Sequence, residues 1–136
     1  MIEFSSQNDF EVPNEAIISD WLEKVASAEG FQVGELGYVF CSDEYLLDIN
    51  QKFLDHDTYT DIITFDYSQD NIIAGEIYIS TDRVEENAAE FSVDFLHELK
   101  RVLVHGVLHL CGYKDKSEEE AQLMRAKENE YLSIQS

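Results

Sequence analysis

Two histidines four positions apart, followed by a helix-stopping glycine, constrain this chain more than any other feature. Residues 105–115 read His-Gly-Val-Leu-His-Leu-Cys-Gly-Tyr-Lys-Asp. Histidines at this spacing on a helix project from one face with Cβ atoms about 5–6 Å apart, so that both imidazoles can bind one metal ion. Gly112 can then end the helix in a left-handed conformation, and the chain can return a carboxylate to the ion. The sequence therefore predicts a metal site formed by His105, His109 and Asp115.

The predicted ligand set favours a catalytic metal over a structural one. Three protein ligands leave a fourth position for water, as in catalytic zinc sites. We expect one Zn²⁺ per chain, and the harder oxygen ligand of Asp115 also suits another divalent ion such as Mn²⁺. The competing interpretation is a structural histidine pair without an ion. No general base is evident, because Gly106 stands where the HExxH zinc proteases carry a glutamate.

Size and charge narrow the possible functions further. The 136 residues, 44% of them hydrophobic, predict one globular domain spanning residues 1–136. The net charge is −20, from 29 acidic and 9 basic residues. This balance argues against broad, nonspecific binding to nucleic acid, because phosphate contacts need cations. A polyanionic substrate would have to be bound through a local basic patch and the metal.

The sequence also indicates a reducing, cytoplasmic location. It has no apolar run long enough to span a bilayer, and its first residues lack the pattern of a signal peptide. Its two cysteines, Cys41 and Cys111, do not make a disulfide framework.

The hydrophobic pattern predicts an α+β fold, a small mixed sheet of about four strands with helices packed on it. One of these helices would carry the metal, as in metalloproteases. Strands are predicted at residues 2–5, 36–41, 62–67 and 72–80, the last two as a hairpin. Helices are predicted to begin near Pro13, Ser42, Ser80, Asp94 and Ser117. The expected buried stripes are Ile17, Trp21, Leu22 and Val25 in the first helix, Tyr45, Leu46, Ile49 and Phe53 in the second, and Phe95, Leu99, Val102, Leu103 and Gly106 in the fourth.

Other polar residues near the predicted site are not expected to be metal ligands. Asp61 could orient a ligand imidazole by accepting its second N–H, or it could simply be a turn residue before a strand. His97 and His56 are not expected to be ligands, and Cys111 is expected to pack rather than to bind metal.

Further segments match, in order, the motifs of a known family. Residues 105–113 resemble its signature helix, and residues 60–65, Thr-Asp-Ile-Ile-Thr-Phe, resemble its Thr-Asp-Val-Leu-Ser-Phe run. Asn50 and Phe53 match the Asn-x-x-Tyr/Phe that precedes this run, and residues 75–80 resemble its Gly-Asp-Ile strand. Together these motifs resemble the YbeY proteins, bacterial single-strand-specific metal-dependent endoribonucleases.

The resemblance implies an α+β fold, a zinc site and a role in 16S rRNA maturation and ribosome quality control. It also implies that the partners are single-stranded rRNA, the small ribosomal subunit and a ribosome-assembly GTPase. Two positions depart from the family pattern. Asp115 stands where the family usually has a histidine, and Leu54 stands where the family usually has an arginine.

The missing arginine makes two nearby cations candidates for a catalytic role. Arg101 precedes His105 by one helical turn and would share its face. We expect Arg101, with Lys114, to supply the phosphate-binding cation that Leu54 cannot. The competing interpretation pairs Arg101 with Glu98 or another acid. Beyond these candidates and the water that the metal would activate, the sequence identifies no catalytic group.

Two other functional classes stay open. The His-x₃-His-x₂-Gly-x₂-Asp spacing would allow a zinc metallopeptidase, although Gly106 argues against one. A noncatalytic ribosome-assembly factor with a structural metal is favoured by the low basic content and by Leu54.

Overall fold

The computed structural model describes residues 2–54 and 61–134, except for the side chains of residues 53 and 54. In these residues four strands form one mixed sheet, which is accompanied by five helices. The elements in chain order are β1 (Ile2–Ser6), α1 (Glu15–Ala28), β2 (Gln32–Cys41), α2 (Asp43–Leu54), β3 (Ile62–Asp66), β4 (Ile72–Ser80), α3 (Thr81–Glu90), α4 (Phe95–Leu110) and α5 (Glu118–Ser133). The predicted α+β class is confirmed.

The strand order across the sheet is β1-β2-β4-β3. The β1, β2 and β4 strands run parallel, and β3 pairs antiparallel with β4 as the predicted hairpin. Gly75 allows the hairpin strands to approach, because a Cβ at this position would lie 2.1 Å from the carbonyl oxygen of Phe65. Its φ of 155° is also one that residues with side chains rarely adopt.

The main core lies between one face of the sheet and helices α1 and α4. Large side chains of β2 and β4, such as Tyr38 and Ile77, are fully buried there against the apolar stripe of α4. The Tyr38 hydroxyl donates a 2.7 Å hydrogen bond to the carbonyl of Leu103 in α4. Gly106 lets α4 approach the sheet closely, since a Cβ there would lie 2.8 Å from Cδ1 of Ile77. The helix that carries both histidines is thus fixed directly on the sheet.

The opposite face of the sheet is covered at one end by α2. Leu46 and Ile49 of this helix are buried together with Cys41 and Ile63. Tyr45, expected in the same stripe, is instead 40% exposed. The side chain of Phe53, also expected there, lies outside the described part of the chain.

The first helix differs from its prediction by one residue. Ile17 is 53% exposed, whereas Ile18 is buried together with Trp21, Leu22 and Val25. The buried positions follow the i, i+3, i+4, i+7 spacing of a helix face, and Ile17 falls just outside that arc.

Within residues 2–54 and 61–134, no helix has both the length and the apolar character required to cross a bilayer.

Candidate metal centre

The three predicted ligands converge at the C-terminal end of α4. His105 and His109 lie one turn apart on this helix, and Asp115 lies in the segment that leads to α5. The possible ligand atoms of the three residues all lie within 4.8 Å of one another. Nε2 of His105 is 3.3 Å from one Asp115 carboxylate oxygen, and Nε2 of His109 is 3.5 Å from the other. The backbone therefore brings the three groups together as the spacing predicted.

The turn after α4 places Asp115. Gly112 adopts a φ of 106°, the left-handed conformation expected of the residue that ends the helix. Its N–H donates to the carbonyl of His109, and the N–H of Tyr113 donates to that of Leu108, both at 3.0 Å. This pair of bonds is the Schellman arrangement, which satisfies the last helical carbonyls while reversing the chain. The reversal returns Asp115 to the histidine face.

Glu128 of α5 orients the first histidine, a contact that no sequence pattern indicates. Its Oε2 lies 2.6 Å from Nδ1 of His105. Because an ionised carboxylate can only accept, the imidazole donates from Nδ1, and when His105 is neutral the lone pair of Nε2 faces Asp115. Burial raises the pKa of Glu128. This effect is outweighed by the hydrogen bond and charge of His105 and by the charge of Arg101, so the pKa of Glu128 lies below its ordinary value. Glu128 thus acts as the carboxylate partner typical of ligand histidines.

Arg101 lies between two buried carboxylates. Its side chain is 12% exposed, and the guanidinium contacts both Glu98, through Nε at 2.9 Å and through Nη2, and Glu128, through Nη1 at 3.1 Å. The ion pair that competed with the phosphate-binding role is therefore present, with a second acid added to it. Arg101 neutralises these acids and holds Glu128 against His105, and the phosphate-binding role expected of it stays a prediction.

Asp61 is close to the site but does not make the contact that was considered for it. Its carboxylate accepts a long hydrogen bond, 3.5 Å, from the side chain of Asn87, and its carbonyl accepts one from the Ser80 N–H. Burial raises the pKa of Asp61, while the charges of His105 and Arg101 act in the opposite direction.

A second acid that no sequence pattern indicates, Glu29, supports the segment that carries Asp115. One Glu29 oxygen accepts a 2.7 Å hydrogen bond from the Tyr113 hydroxyl, and the other accepts one from the hydroxyl of Tyr131 in α5. Lys127 adds an ion pair at 3.6 Å. Burial raises the pKa of Glu29, but these hydroxyl donors and Lys127 outweigh it and lower the pKa. The end of α1 thereby fixes both Tyr113 and α5.

The remaining candidates lie around the site without joining the cluster. Lys114 is exposed beside Asp115, and His97 is exposed near the start of α4. Cys111 packs against the main core, and burial raises the pKa of its thiol to about 12. His56 and the side chain of Leu54 lie outside the described residues.

The donor set fits a divalent metal ion. Two ligands bound at about 2.0–2.1 Å in tetrahedral geometry lie about 3.3 Å from each other. The Nε2 atoms of His105 and His109 lie 3.3 and 3.5 Å from different oxygens of the Asp115 carboxylate, close to that separation. With the proton of His105 on Nδ1, the lone pair of Nε2 faces a carboxylate oxygen. Two such acceptors repel each other unless a cation or a proton lies between them. Residues His105, His109 and Asp115 together supply two nitrogens and one charged oxygen, which are ordinary ligands for zinc.

Comparison with known proteins identifies the family. The sequence model described as Endoribonuclease YbeY matches residues 2–135. The chain belongs to the YbeY family. The relative named endoribonuclease YbeY in Flavobacterium johnsoniae is 52% identical over 134 residues, which span 98% of this chain and 96% of the relative. The YbeY relative in Cytophaga hutchinsonii is 50% identical over 132 residues, covering 96% and 92% of the two chains.

A solved structure shares the fold of this chain. A Thermotoga maritima protein, whose structure was determined in solution, is 30% identical to this chain and superposes with a TM-score of 0.69. The match covers 98% of this chain and 87% of the other. The family resemblance inferred from the ordered motifs is confirmed.

Proposed function

We propose that this chain is a metal-dependent endoribonuclease that cleaves single-stranded RNA, with all of residues 1–136 acting as one domain. The observation that carries the proposal is the convergence of two imidazoles and a carboxylate at one point, in a chain whose family and relatives are named for endoribonuclease activity.

His105, His109 and Asp115 would hold the ion. A divalent metal bound there would polarise a phosphoryl oxygen and lower the pKa of a water molecule. Glu128 keeps the proton of His105 on Nδ1, so that Nε2 stays available as a ligand. The negative charge of Asp115 reduces the net charge of the occupied site relative to three imidazoles, which makes Mn²⁺ a plausible alternative to Zn²⁺.

Phosphate binding would depend on a small number of cations. Lys114 and Lys116 are exposed on either side of Asp115, where an RNA phosphate at the metal would come within their reach. The chain as a whole is strongly acidic, with a net charge of −20. We therefore expect RNA affinity to decrease with salt concentration only as steeply as it does for a protein that makes a few phosphate contacts.

The biological role follows from the family. We propose that the substrate is single-stranded rRNA, that the reaction serves 16S rRNA maturation and ribosome quality control, and that the small ribosomal subunit and a ribosome-assembly GTPase are partners. The cytoplasmic location expected from the sequence stays a prediction.

A cleavage assay tests the activity. Wild-type protein loaded with Zn²⁺ or Mn²⁺ is incubated with an end-labelled single-stranded RNA, with the same RNA annealed to its complement, and with casein. We expect cleavage of the single strand only. His109→Ala should abolish cleavage, whereas His97→Ala, which removes an exposed histidine of the same helix, should cleave as the wild type does.

Other outcomes point to the remaining classes. Casein hydrolysis that His109→Ala abolishes would contradict the proposal in favour of a metallopeptidase. Binding to small-subunit particles without RNA cleavage would favour a noncatalytic assembly factor.

A further inference from the structure

A groove lined by aromatic side chains lies on the sheet face opposite the metal centre. It is formed where α2 leaves part of this face uncovered, between α2 and the β3–β4 hairpin. Its walls are Tyr45, Ile49, Phe65, Tyr67, Glu76 and Tyr78. None of these residues takes part in the metal centre, which is built on α4 from the other face.

The groove presents aromatic rings around a carboxylate. Tyr45 is 40% exposed and Tyr67 is 60% exposed, so both rings are open to solvent. Phe65 and Tyr78 meet edge to face with ring centroids 5.8 Å apart. The Tyr78 hydroxyl donates a 3.4 Å hydrogen bond to Glu76, which places the carboxylate within the aromatic group.

The acidic character continues across the sheet from this groove. Glu3, Gly37 and Glu76 are paired in register on β1, β2 and β4, so their positions share one face. Gly37 has no side chain, and a Cβ there would meet nothing within 4 Å. The row therefore carries two exposed carboxylates with open space between them. Within residues 2–54 and 61–134, neither Glu3 nor Glu76 forms an ion pair with a basic residue.

We infer that this groove binds the lysine or arginine side chain of a basic protein segment that lies along the acidic row. A cation over aromatic faces is attracted by their quadrupoles, and Glu76 adds a charge partner at the same place. The groove disfavours RNA, because phosphates would approach Glu3 and Glu76 without a compensating cation. Since the metal centre lies on the other side of the sheet, the basic partner and an RNA substrate could be bound simultaneously. The inference goes beyond the proposed ribonuclease activity and does not depend on it.

A peptide-binding experiment without metal tests the inference. The probe is a short fluorescein-labelled peptide of alternating arginine and serine, titrated with the full chain at physiological salt and followed by anisotropy. Glu76→Gln and Tyr67→Ala should each weaken binding about fivefold. Tyr67→Phe keeps the ring and should bind as the wild type does.

The control for general acidity is Glu23→Gln, which removes the same charge from an exposed position on α1. It should leave peptide affinity unchanged. If Glu23→Gln weakens binding as much as Glu76→Gln, or if Tyr67→Ala has no effect, the peptide is attracted by net charge alone and the inference is wrong.

The same variants distinguish a basic segment from RNA. Labelled single-stranded RNA replaces the peptide in a second titration. If RNA occupied the groove, Tyr67→Ala would weaken its binding while Glu76→Gln would strengthen it. That pair of changes would overturn the inference, whereas unchanged RNA binding in both variants, with weakened peptide binding, supports it.

Discussion

Oε2 of Glu128 lies 2.6 Å from Nδ1 of His105, although the two residues are 23 positions apart and belong to different helices. The bond fixes which nitrogen of the imidazole carries the proton and which one faces Asp115. Arg101 contacts the other oxygen of the same carboxylate. The candidate metal centre therefore depends on α5 even though all three predicted ligands precede that helix.

Glu128→Gln should weaken metal binding by roughly 10- to 100-fold, since it removes the negative charge that makes His105 a stronger ligand. Zn²⁺ affinity measured by competition with a chromophoric chelator checks this. Glu119→Gln, an exposed position of the same helix, should match the wild type. Equal affinity in the wild type and the Glu128 variant would show that the carboxylate has only a structural role.

Arg101→Ala should lower the free energy of unfolding by about 3–5 kcal/mol, because it leaves buried carboxylates without their cation. Urea denaturation gives the value. Lys24→Ala provides the comparison, since its exposed pair with Asp20 should contribute at most about 0.5 kcal/mol. A change at Arg101 as small as that at Lys24 would contradict the role of the guanidinium between Glu98 and Glu128.

Asp115→His should keep the fold and the metal and should increase the preference for Zn²⁺ over Mn²⁺, because imidazole is a softer ligand than carboxylate. The two ions are competed against each other in the wild type and the variant. An unchanged preference would show that the third ligand does not determine the choice of metal.

Gly106→Ala should destabilise the protein by about 1 kcal/mol. The added methyl group would lie 2.8 Å from Cδ1 of Ile77 and overpack the core. We expect the energetic cost of this overpacking to exceed the stability that the helix gains from alanine. Ile77→Val removes that Cδ1 atom. The double variant should therefore lose less stability than the sum of the two single variants, as measured by thermal or urea unfolding. Strict additivity would mean that the helix and sheet adjust without strain.

Glu29→Gln should cost about 1–2 kcal/mol at neutral pH through weaker bonds to Tyr113 and Tyr131. The folded state lowers the pKa of Glu29, so its stabilisation is complete above the unfolded value of about 4.3 and is lost as the pH falls through the folded value. The difference in stability between wild type and variant should thus be constant from pH 7 to 6 and shrink below about pH 4. A difference that grows on acidification would reverse the assigned direction of the shift.

The parts of the site that follow from local geometry were predictable from sequence. The spacing of His105 and His109 and the stop at Gly112 depend on neighbouring residues alone. The contact of Arg101 with Glu98 is also local, since the two residues lie three positions apart on one helix, and this spacing predicts their ion pair.

Contacts between distant elements could not be predicted in the same way. Glu128 and Glu29 are two among 29 acidic residues, and no local pattern distinguishes an acid that meets a histidine from one that meets water. The exposure of Tyr45 could not be predicted either, because the amphipathic pattern of α2 does not reveal how much of the sheet that helix covers.

The placement of Glu128 on α5 also sets an order of events during synthesis. A ribosome makes His105, His109 and Asp115 before it makes Glu128, and the hydroxyl of Tyr131 that meets Glu29 comes later still. A nascent chain stalled before α5 would expose the three residues without the carboxylate that holds the proton of His105 on Nδ1. A metal held by these residues would therefore gain the support of Glu128 only once α5 has left the exit tunnel and docked on α4.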